Sequence, residues 1–382
     1  MGRPAKGESL SSFHPSVKGW IKYLKGKRPG WSAKTLHFEL KKEAQLSGLT
    51  IPSVRAIGMY LKEQGLVKAY DKHVPMPESE MKQVSKPHQV WQMDAQGSTK
   101  VENIGCIAMI NIKDVCSRSY CMAFPNVKKR LHGFSKRSDY QCALRLAFTE
   151  NGLPEQLQTD HEGIFHENKG KSAFPTVLHL WLLGLGIGLT FSRLRRPTDQ
   201  GKVERMHQTI ERQVILGQQH RNWESLFNLC QQRRKFLNEE FPCSSLGKQS
   251  PYQAFPQARH SGRFYHPSLE ADLIDLQRIY AFLAKGKWYR IVSRQGSVTL
   301  GGEVYYLKGT QQRTQVRIEF DAKTLMLSFH DDKERLLQQL PIKGINKKAL
   351  MGQVFWKMSN IQLELPLNWE AQKTSTTFLH KP

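Results

Sequence analysis

The chain has 382 residues, which is enough for two or three domains with separate cores. Its 57 Lys and Arg exceed its 33 Asp and Glu, and the resulting net charge of +24 predicts a polyanionic partner such as nucleic acid. Six cysteines lack the paired spacing of a zinc site, so most are expected to be core thiols in a reducing compartment. No stretch is suited to cross a membrane and no signal-peptide pattern is present, so we expect a soluble, cytoplasmic protein with no membrane partner.

Residues 1–70 are predicted to form a DNA-binding domain. The first thirty residues are rich in Lys, Arg, Gly and Pro and are interpreted as a basic arm. Helical spacing predicts one helix over 32–47 and a second that ends at Gly65. Two short helices joined by a tight turn favour a helix-turn-helix that would present Arg55 and Lys62 to a DNA groove. A small helical packing module is the alternative.

A linker with three prolines over 71–87 precedes an α/β region over 88–220. The pattern gives, in order, strands 89–95, 104–112 and 119–124, a helix 140–149, a strand ending at Asp160, a helix 175–184, a strand 187–192, and a helix that bears Glu204. This order is typical of a ribonuclease-H-like core.

The remainder of the chain is predicted to be mainly β-structure. A helical connector over 221–265 leads to 266–340, where short alternating runs predict four or five strands, enough for a small β-barrel. Residues 341–382 show no sustained pattern and are interpreted as a tail. The fold class is therefore multidomain: all-α in front, α/β in the centre and a small barrel behind.

Three acidic residues stand at the ends or beginnings of predicted elements. Asp94 ends the first strand of the α/β region, Asp160 ends the fourth, and Glu204 lies one turn into a helix. Any one of them alone is best explained as a capping or surface acid. Together they would form a cluster of like charges, which is costly unless divalent metal ions neutralise it. In a basic protein this combination indicates phosphodiester chemistry assisted by two metal ions.

Around these acids the chain resembles the DDE transposase and retroviral-integrase superfamily, most closely the bacterial insertion-sequence transposases. The similar segments are Trp91–Asp94, the aspartate-x-x-serine-arginine turn Asp114–Arg118, and Asp199–Arg205, which leads to the glutamate. The second motif departs from the family pattern, because His161 replaces an Asn and the following glycine is displaced by one position. Asp114 is expected to have a structural role, and the role of His161 stays open.

The resemblance implies a transposase that cleaves transposon ends and transfers them into target DNA. Asp94, Asp160 and Glu204 would be its catalytic residues and would hold two Mg²⁺ ions, for which Mn²⁺ could substitute. The implied partners are DNA, further copies of the chain assembled on DNA, and an accessory ATPase recruited by the tail. The implied location is the bacterial cytoplasm, in association with the nucleoid. A non-catalytic DNA-binding protein derived from a transposase, or a stand-alone metal-dependent nuclease, are the alternatives.

Basic side chains near the predicted elements are candidates for contact with the DNA backbone, because guanidinium and ammonium groups suit phosphate oxygens. The candidates are Arg55, Lys62, Arg193, Arg195, Arg196, Lys202, Arg205, Arg212, Lys287 and Arg290.

Overall fold

A computed structural model describes most of the chain. The described residues are 9–67, 84–95, 97–128, 135–165, 167, 172–192, 201–309 and 312–352. Arg193, Arg195 and Arg196, most of the predicted linker and the tail after residue 352 lie outside these residues. Within them, every helix is too short or too polar to span a membrane.

The N-terminal region folds as three helices around a small core. These are α1 (Pro15–Lys27), α2 (Ala33–Lys42) and α3 (Val54–Glu63). The hydroxyls of Ser32 and Ser53 cap α2 and α3 by accepting hydrogen bonds from backbone N–H groups in the first turn. Val17 and Ile21 of α1 are fully buried in the cluster that the three helices share. The three helices are therefore held together by one hydrophobic core.

Two expectations for this region differ from the structure. The predicted basic arm is wrong over α1, because apolar residues spaced four apart bury one face of that stretch as a helix. The helix predicted over 32–47 ends at Lys42 and is followed by a 3₁₀ turn over Ala44–Leu46. The connection between α2 and α3 is thus longer than a tight turn, and the helix-turn-helix stays a prediction.

The central region forms one mixed sheet. Its strands are β1 (Val90–Ala95), β2 (Thr99–Val101), β3 (Gly105–Asp114), β4 (Tyr120–Lys128), β5 (Gln156–Thr159) and β6 (Gly188–Phe191). β3 pairs antiparallel with β4 on one side and antiparallel with β1 and β2 on its other side. β1 and β5 are parallel, as are β5 and β6. This topology fits the predicted ribonuclease-H-like α/β core, and only the short β2 was not predicted.

Helices cover both faces of this sheet. They are α4 (Arg137–Asn151), α5 (Val177–Gly184), α6 (Gly201–Ile210), which continues as a π-helical turn over Glu211–Ile215, and α7 (Trp223–Glu239). On one face, Phe148 of α4 and Trp181 of α5 pack with Trp91 of β1. On the other, Met206 of α6 and Leu226 of α7 share a second apolar cluster with β3. Each face of the sheet thus has its own core.

The C-terminal region contains short helices and two further sheets. Its elements are α8 (Pro251–Ala254), α9 (Glu270–Leu273), α10 (Leu276–Leu283), β7 (Lys287–Ile291), β8 (Ser297–Leu300), β9 (Glu303–Tyr306), β10 (Gln315–Asp321), β11 (Met326–His330), β12 (Leu336–Pro341) and α11 (Lys347–Met351). One sheet has the order β12-β11-β10-β7, and β8 and β9 form a separate hairpin. A closed barrel is therefore not confirmed in the described residues. The tail prediction is wrong up to α11, because Leu350 is fully buried.

A buried ion pair joins the C-terminal region to the central sheet. Arg145 of α4 holds both carboxylate oxygens of Glu270 at 2.7 Å. The same carboxylate accepts hydrogen bonds from Trp181 Nε1 at 2.7 Å and from Tyr265 Oη at 2.5 Å. Arg145 also donates to the carbonyl of Met351 at 2.8 Å, which fixes α11. Four donated hydrogen bonds offset the cost of burying this charge.

Candidate active site

The sheet places the two candidate aspartates side by side. β1 and β5 are parallel neighbours, with Gln92 opposite Gln158. Asp94 comes two residues after Gln92, and Asp160 comes two residues after Gln158 and directly follows β5. Since parallel strands end at the same edge of a sheet, both carboxylates belong to one edge. Asp94 is half-buried and Asp160 is exposed.

Glu204 reaches the same edge from α6, which packs against β1 and β3. Val203 and Met206 on its two sides are fully buried and hold the helix, while Glu204 itself is exposed. Partial burial raises the pKa of Glu204, and the neighbouring Asp94 carboxylate raises it further. Burial likewise raises the pKa of Asp160, with a further increase from Asp94. Asp94 therefore lies near enough to Asp160 and to Glu204 to repel both carboxylates.

A fourth acid, Glu162, was not predicted. Its backbone N–H donates to Asp160 Oδ1 at 3.0 Å, and its carboxylate accepts a hydrogen bond from the Tyr140 hydroxyl. Burial raises the pKa of Glu162, and the charges of Asp160 and Asp94 raise it as well. The sequence signal was available, because Glu162 stands two residues after the second aspartate of the motif.

His207 was also missed. Its Nε2 lies 3.0 Å from Asp94 Oδ2, and its Nδ1 lies 2.6 Å from the side-chain amide nitrogen of Asn111. An amide NH₂ can only donate, so Nδ1 accepts and the proton on Nε2 is donated to Asp94. The spacing from Glu204 to His207 is one helical turn, which places both on one face of α6. That spacing is the signal from which His207 could have been found.

The donor chemistry of the site suits a hard divalent cation. Carboxylate oxygens are the ligands that Mg²⁺ prefers, and a bound cation would relieve the repulsion among Asp94, Asp160 and Glu204. In the described part of the chain, however, no three His, Cys, Asp or Glu side chains converge closely enough to hold a metal ion. The acids are thus gathered at one edge without forming a complete coordination sphere.

Asp114 has the structural role that was expected of it. It is fully buried and accepts hydrogen bonds from the N–H of His88 at 2.7 Å and from the N–H and hydroxyl of Ser117, both at 2.6 Å. These bonds close the turn between β3 and β4. His161 lies beside the site, where its ring stacks on Phe191 with the centroids 5.2 Å apart.

The predicted DNA-contacting residues fall into three groups. On or just after α6, Lys202 is half-buried and Arg205 and Arg212 are exposed, whereas Arg55 and Lys62 are exposed on α3. Lys287 is exposed on β7 and forms an ion pair with Glu319 at 3.2 Å.

Arg290 is not placed for DNA contact, which corrects that prediction. Its guanidinium forms an ion pair with Glu167 at 2.6 Å and donates to the carbonyl of Ser172 at 2.8 Å. Only 10% of its side chain is exposed. The guanidinium N–H groups of Arg290 that would contact phosphate thus bind groups within the protein instead.

Several solved structures are similar to this chain. The catalytic core of HTLV-2 integrase in complex with magnesium is 15% identical and has a TM-score of 0.33, with 44% of this chain and 96% of that chain covered. A simian T-cell lymphotropic virus intasome in complex with PP2A regulatory subunit B56 gamma is 16% identical, with a TM-score of 0.37 and coverage of 82% and 97%. The catalytic core of BIV integrase is 16% identical, with a TM-score of 0.31 and coverage of 45% and 95%. These likenesses are weak, and the strand topology itself carries the fold assignment.

A family match covers the region that contains Glu204. Residues 185–251 match the family described as the integrase core domain. The matched residues include β6, α6 and α7, so they span the helix that carries Glu204 and His207. Over these residues the chain is therefore similar to an integrase core domain, as the sequence resemblance predicted.

Proposed function

We propose that the chain is a DNA transposase that cleaves DNA strands at transposon ends and transfers them into target DNA. The observation that carries the proposal is the gathering of Asp94, Asp160 and Glu204 at one sheet edge, where burial, and after it the Asp94 carboxylate, raises the pKa of both other acids. Clusters of carboxylates with raised pKa values are typical of functional sites, including sites that bind a catalytic cation. The integrase-core match over the segment that contains Glu204 supports the same reaction class.

Asp94, Asp160 and Glu204 would hold the divalent metal. Bound magnesium or manganese would polarise a phosphodiester and activate an attacking water or DNA 3′-hydroxyl. The hydrogen bond from His207 restricts rotation of the Asp94 carboxylate, and α6 fixes Glu204 through its buried neighbours. Lys202 and Arg205 flank Glu204 on the same helix and would orient the DNA backbone by contacting its phosphates.

The N-terminal helices would supply binding to the transposon end. Arg55 and Lys62 are exposed on α3, the helix that would enter a groove in a helix-turn-helix arrangement. Strand transfer requires two DNA ends to be held together, so we propose that several copies of the chain assemble on DNA. The accessory ATPase stays a prediction, since its proposed site is the predicted tail over 341–382, most of which lies outside the described residues.

The test combines three assays of the purified chain with labelled DNA from the flanks of its gene. We expect wild-type protein to bind the end, to nick it with Mg²⁺ or Mn²⁺, and to join its 3′-hydroxyl to target DNA. Asp160→Asn should retain end binding and lose nicking and joining. Wild-type binding without nicking would favour the non-catalytic regulator, and nicking without joining would favour the nuclease. Joining by Asp160→Asn at the wild-type rate would refute the assignment.

A further inference from the structure

An aromatic pocket lies between the central sheet and the C-terminal region. Its volume is about 450 Å³. Its walls include Phe165, Phe174, Phe191, Phe282 and Trp288. These rings come from four places in the fold: the segment after β5, the end of β6, α10 and β7. A cavity of this size is large enough for a planar ring system with its attached groups.

Two of these rings pack against each other, and a third is exposed. Phe174 and Trp288 meet edge to face with their centroids 4.8 Å apart, which makes one firm wall. A Cβ atom at Gly286 would come within 2.3 Å of the Trp288 ring, so glycine is required for the indole to take this position. Phe282 is 39% exposed, and its ring lies 5.4 Å from that of His179 between centroids. An exposed aromatic face is the group on which unstacked bases stack.

Two of the aromatic residues that line the pocket contact residues that flank the candidate catalytic acids. Phe191 pairs in register with Thr159, which directly precedes Asp160, and its ring stacks on His161. The Phe165 ring packs against Tyr140 at 5.0 Å, and Tyr140 donates a hydrogen bond to Glu162. The pocket therefore adjoins the site at which a DNA strand would be cut.

Two lysines and a histidine line the pocket. Lys285, Lys287 and His179 are among its lining residues, and none of the described lining residues is Asp or Glu. Aromatic faces combined with cationic side chains are the combination by which proteins bind single-stranded nucleic acid. Lys287 is paired with Glu319 at 3.2 Å, so the exposed Lys285 is the lysine that would contact a ligand phosphate.

We propose that this pocket binds an unpaired base, together with its phosphate, from the DNA strand next to the scissile bond. The base would stack on Phe282, and Lys285 would contact the phosphate. Unpairing a base costs a few kcal/mol, which stacking in the pocket would offset. The inference rests on the proposed function, since it assumes that DNA occupies the acidic site.

Binding of a short oligothymidylate without metal tests the pocket separately from catalysis. We expect Phe282→Ala combined with Lys285→Ala to weaken binding at least about tenfold, because stacking on one base contributes roughly 1–3 kcal/mol. Both side chains have exposed surface, so the variant should still fold. The matched control is Tyr306→Ala with Lys308→Ala at the end of the separate hairpin and just after it, where an aromatic ring and a lysine are likewise exposed. It should bind the oligonucleotide like the wild type.

The second measurement uses 2-aminopurine beside the scissile position of a duplex end. Its fluorescence should change when Asp160→Asn protein binds, and this change should disappear when the pocket substitutions are added. Equal oligonucleotide affinity of the pocket and control variants, or an unchanged 2-aminopurine signal on binding, would overturn the proposal. Absence of strand transfer by the wild type would overturn the proposed function while these two binding results still decide the pocket.

Discussion

His207 Nε2 donates a hydrogen bond to Asp94 Oδ2 over 3.0 Å, and Asn111 holds the other ring nitrogen of the same histidine at 2.6 Å. Asn111 and His207 are both buried, so the orientation of the Asp94 carboxylate is set from inside the protein. Groups that orient a metal-binding carboxylate in this way tune its affinity for the metal.

The first prediction concerns this hydrogen bond. His207→Ala should raise the Mg²⁺ concentration needed for half-maximal strand transfer by about 10–100-fold, because Asp94 loses its fixed donor. His207→Gln retains an N–H donor and should recover part of the loss. The measurement is the rate of joining as a function of Mg²⁺ concentration for the three proteins. An unchanged metal dependence of His207→Ala would contradict the role of His207 in positioning Asp94.

The second prediction concerns stability as a function of pH without metal. The pKa values of Asp160, Glu162 and Glu204 are raised by burial and by neighbouring carboxylates. As the pH rises, the unfolded chain therefore releases these protons first, and the free energy of unfolding falls as the pH passes through the raised native values. Asp160→Asn should be more stable than the wild type at pH 7 by about 0.5–1 kcal/mol, a modest gain because Asp160 is partly solvated.

Denaturant unfolding at several pH values measures this effect. The gain of Asp160→Asn should vanish near pH 3, where the carboxyl group is protonated in both states, and should shrink when Mg²⁺ is added to the wild type at pH 7. Asp332→Asn, at an exposed acid in the loop between β11 and β12, is the control and should not reproduce the gain. A gain of equal size at pH 3 and pH 7 would argue against repulsion among the acids.

The third prediction concerns Lys113, a buried lysine on β3. Burial lowers its pKa to about 8, and its ammonium group lies 4.4 Å from the centre of the Tyr120 ring. Between the native value and the ordinary value of 10.5 the unfolded chain binds more protons, so stability rises with pH in that window. Lys113→Met should stabilise the protein at pH 7 by on the order of 2 kcal/mol, with a smaller gain at pH 10. A gain that does not decrease with pH would exclude the cost of burying the charge as its cause.

The fourth prediction concerns the ion pair between Arg145 and Glu270. Glu270→Leu should lower the free energy of unfolding by about 3–5 kcal/mol, because it leaves the Arg145 charge buried without its partner. The double variant Arg145→Met with Glu270→Leu should recover much of that loss. Thermal unfolding of the wild type, of Glu270→Leu, of Arg145→Met and of the double variant is the measurement. A double variant that is as unstable as the sum of the single variants would show that the pair is not coupled.

The strand ends were predictable from the sequence, and with them Asp94 and Asp160, because the mostly apolar run 90–93 stops directly before Asp94 and the short run 155–159 stops directly before Asp160. The Asp94–His207 contact was not, since its partners are separated by 113 residues and only the packing of α6 on β1 brings them together. Arg290 was misjudged for the same reason, because its partner Glu167 lies in a polar segment without periodicity. The helix α1 was not predicted, because its many basic residues obscured Val17 and Ile21, the two apolar residues that are buried on one of its faces.

The most direct test of the central claim is a titration of the protein with Mn²⁺, followed by the electron paramagnetic resonance signal of the free ion. The account predicts that wild-type protein removes Mn²⁺ from solution and that Asp94→Asn, Asp160→Asn and Glu204→Gln each weaken this binding at least tenfold, whereas Asp332→Asn does not. Binding of Mn²⁺ with wild-type affinity by the variant that carries all three substitutions would contradict this prediction.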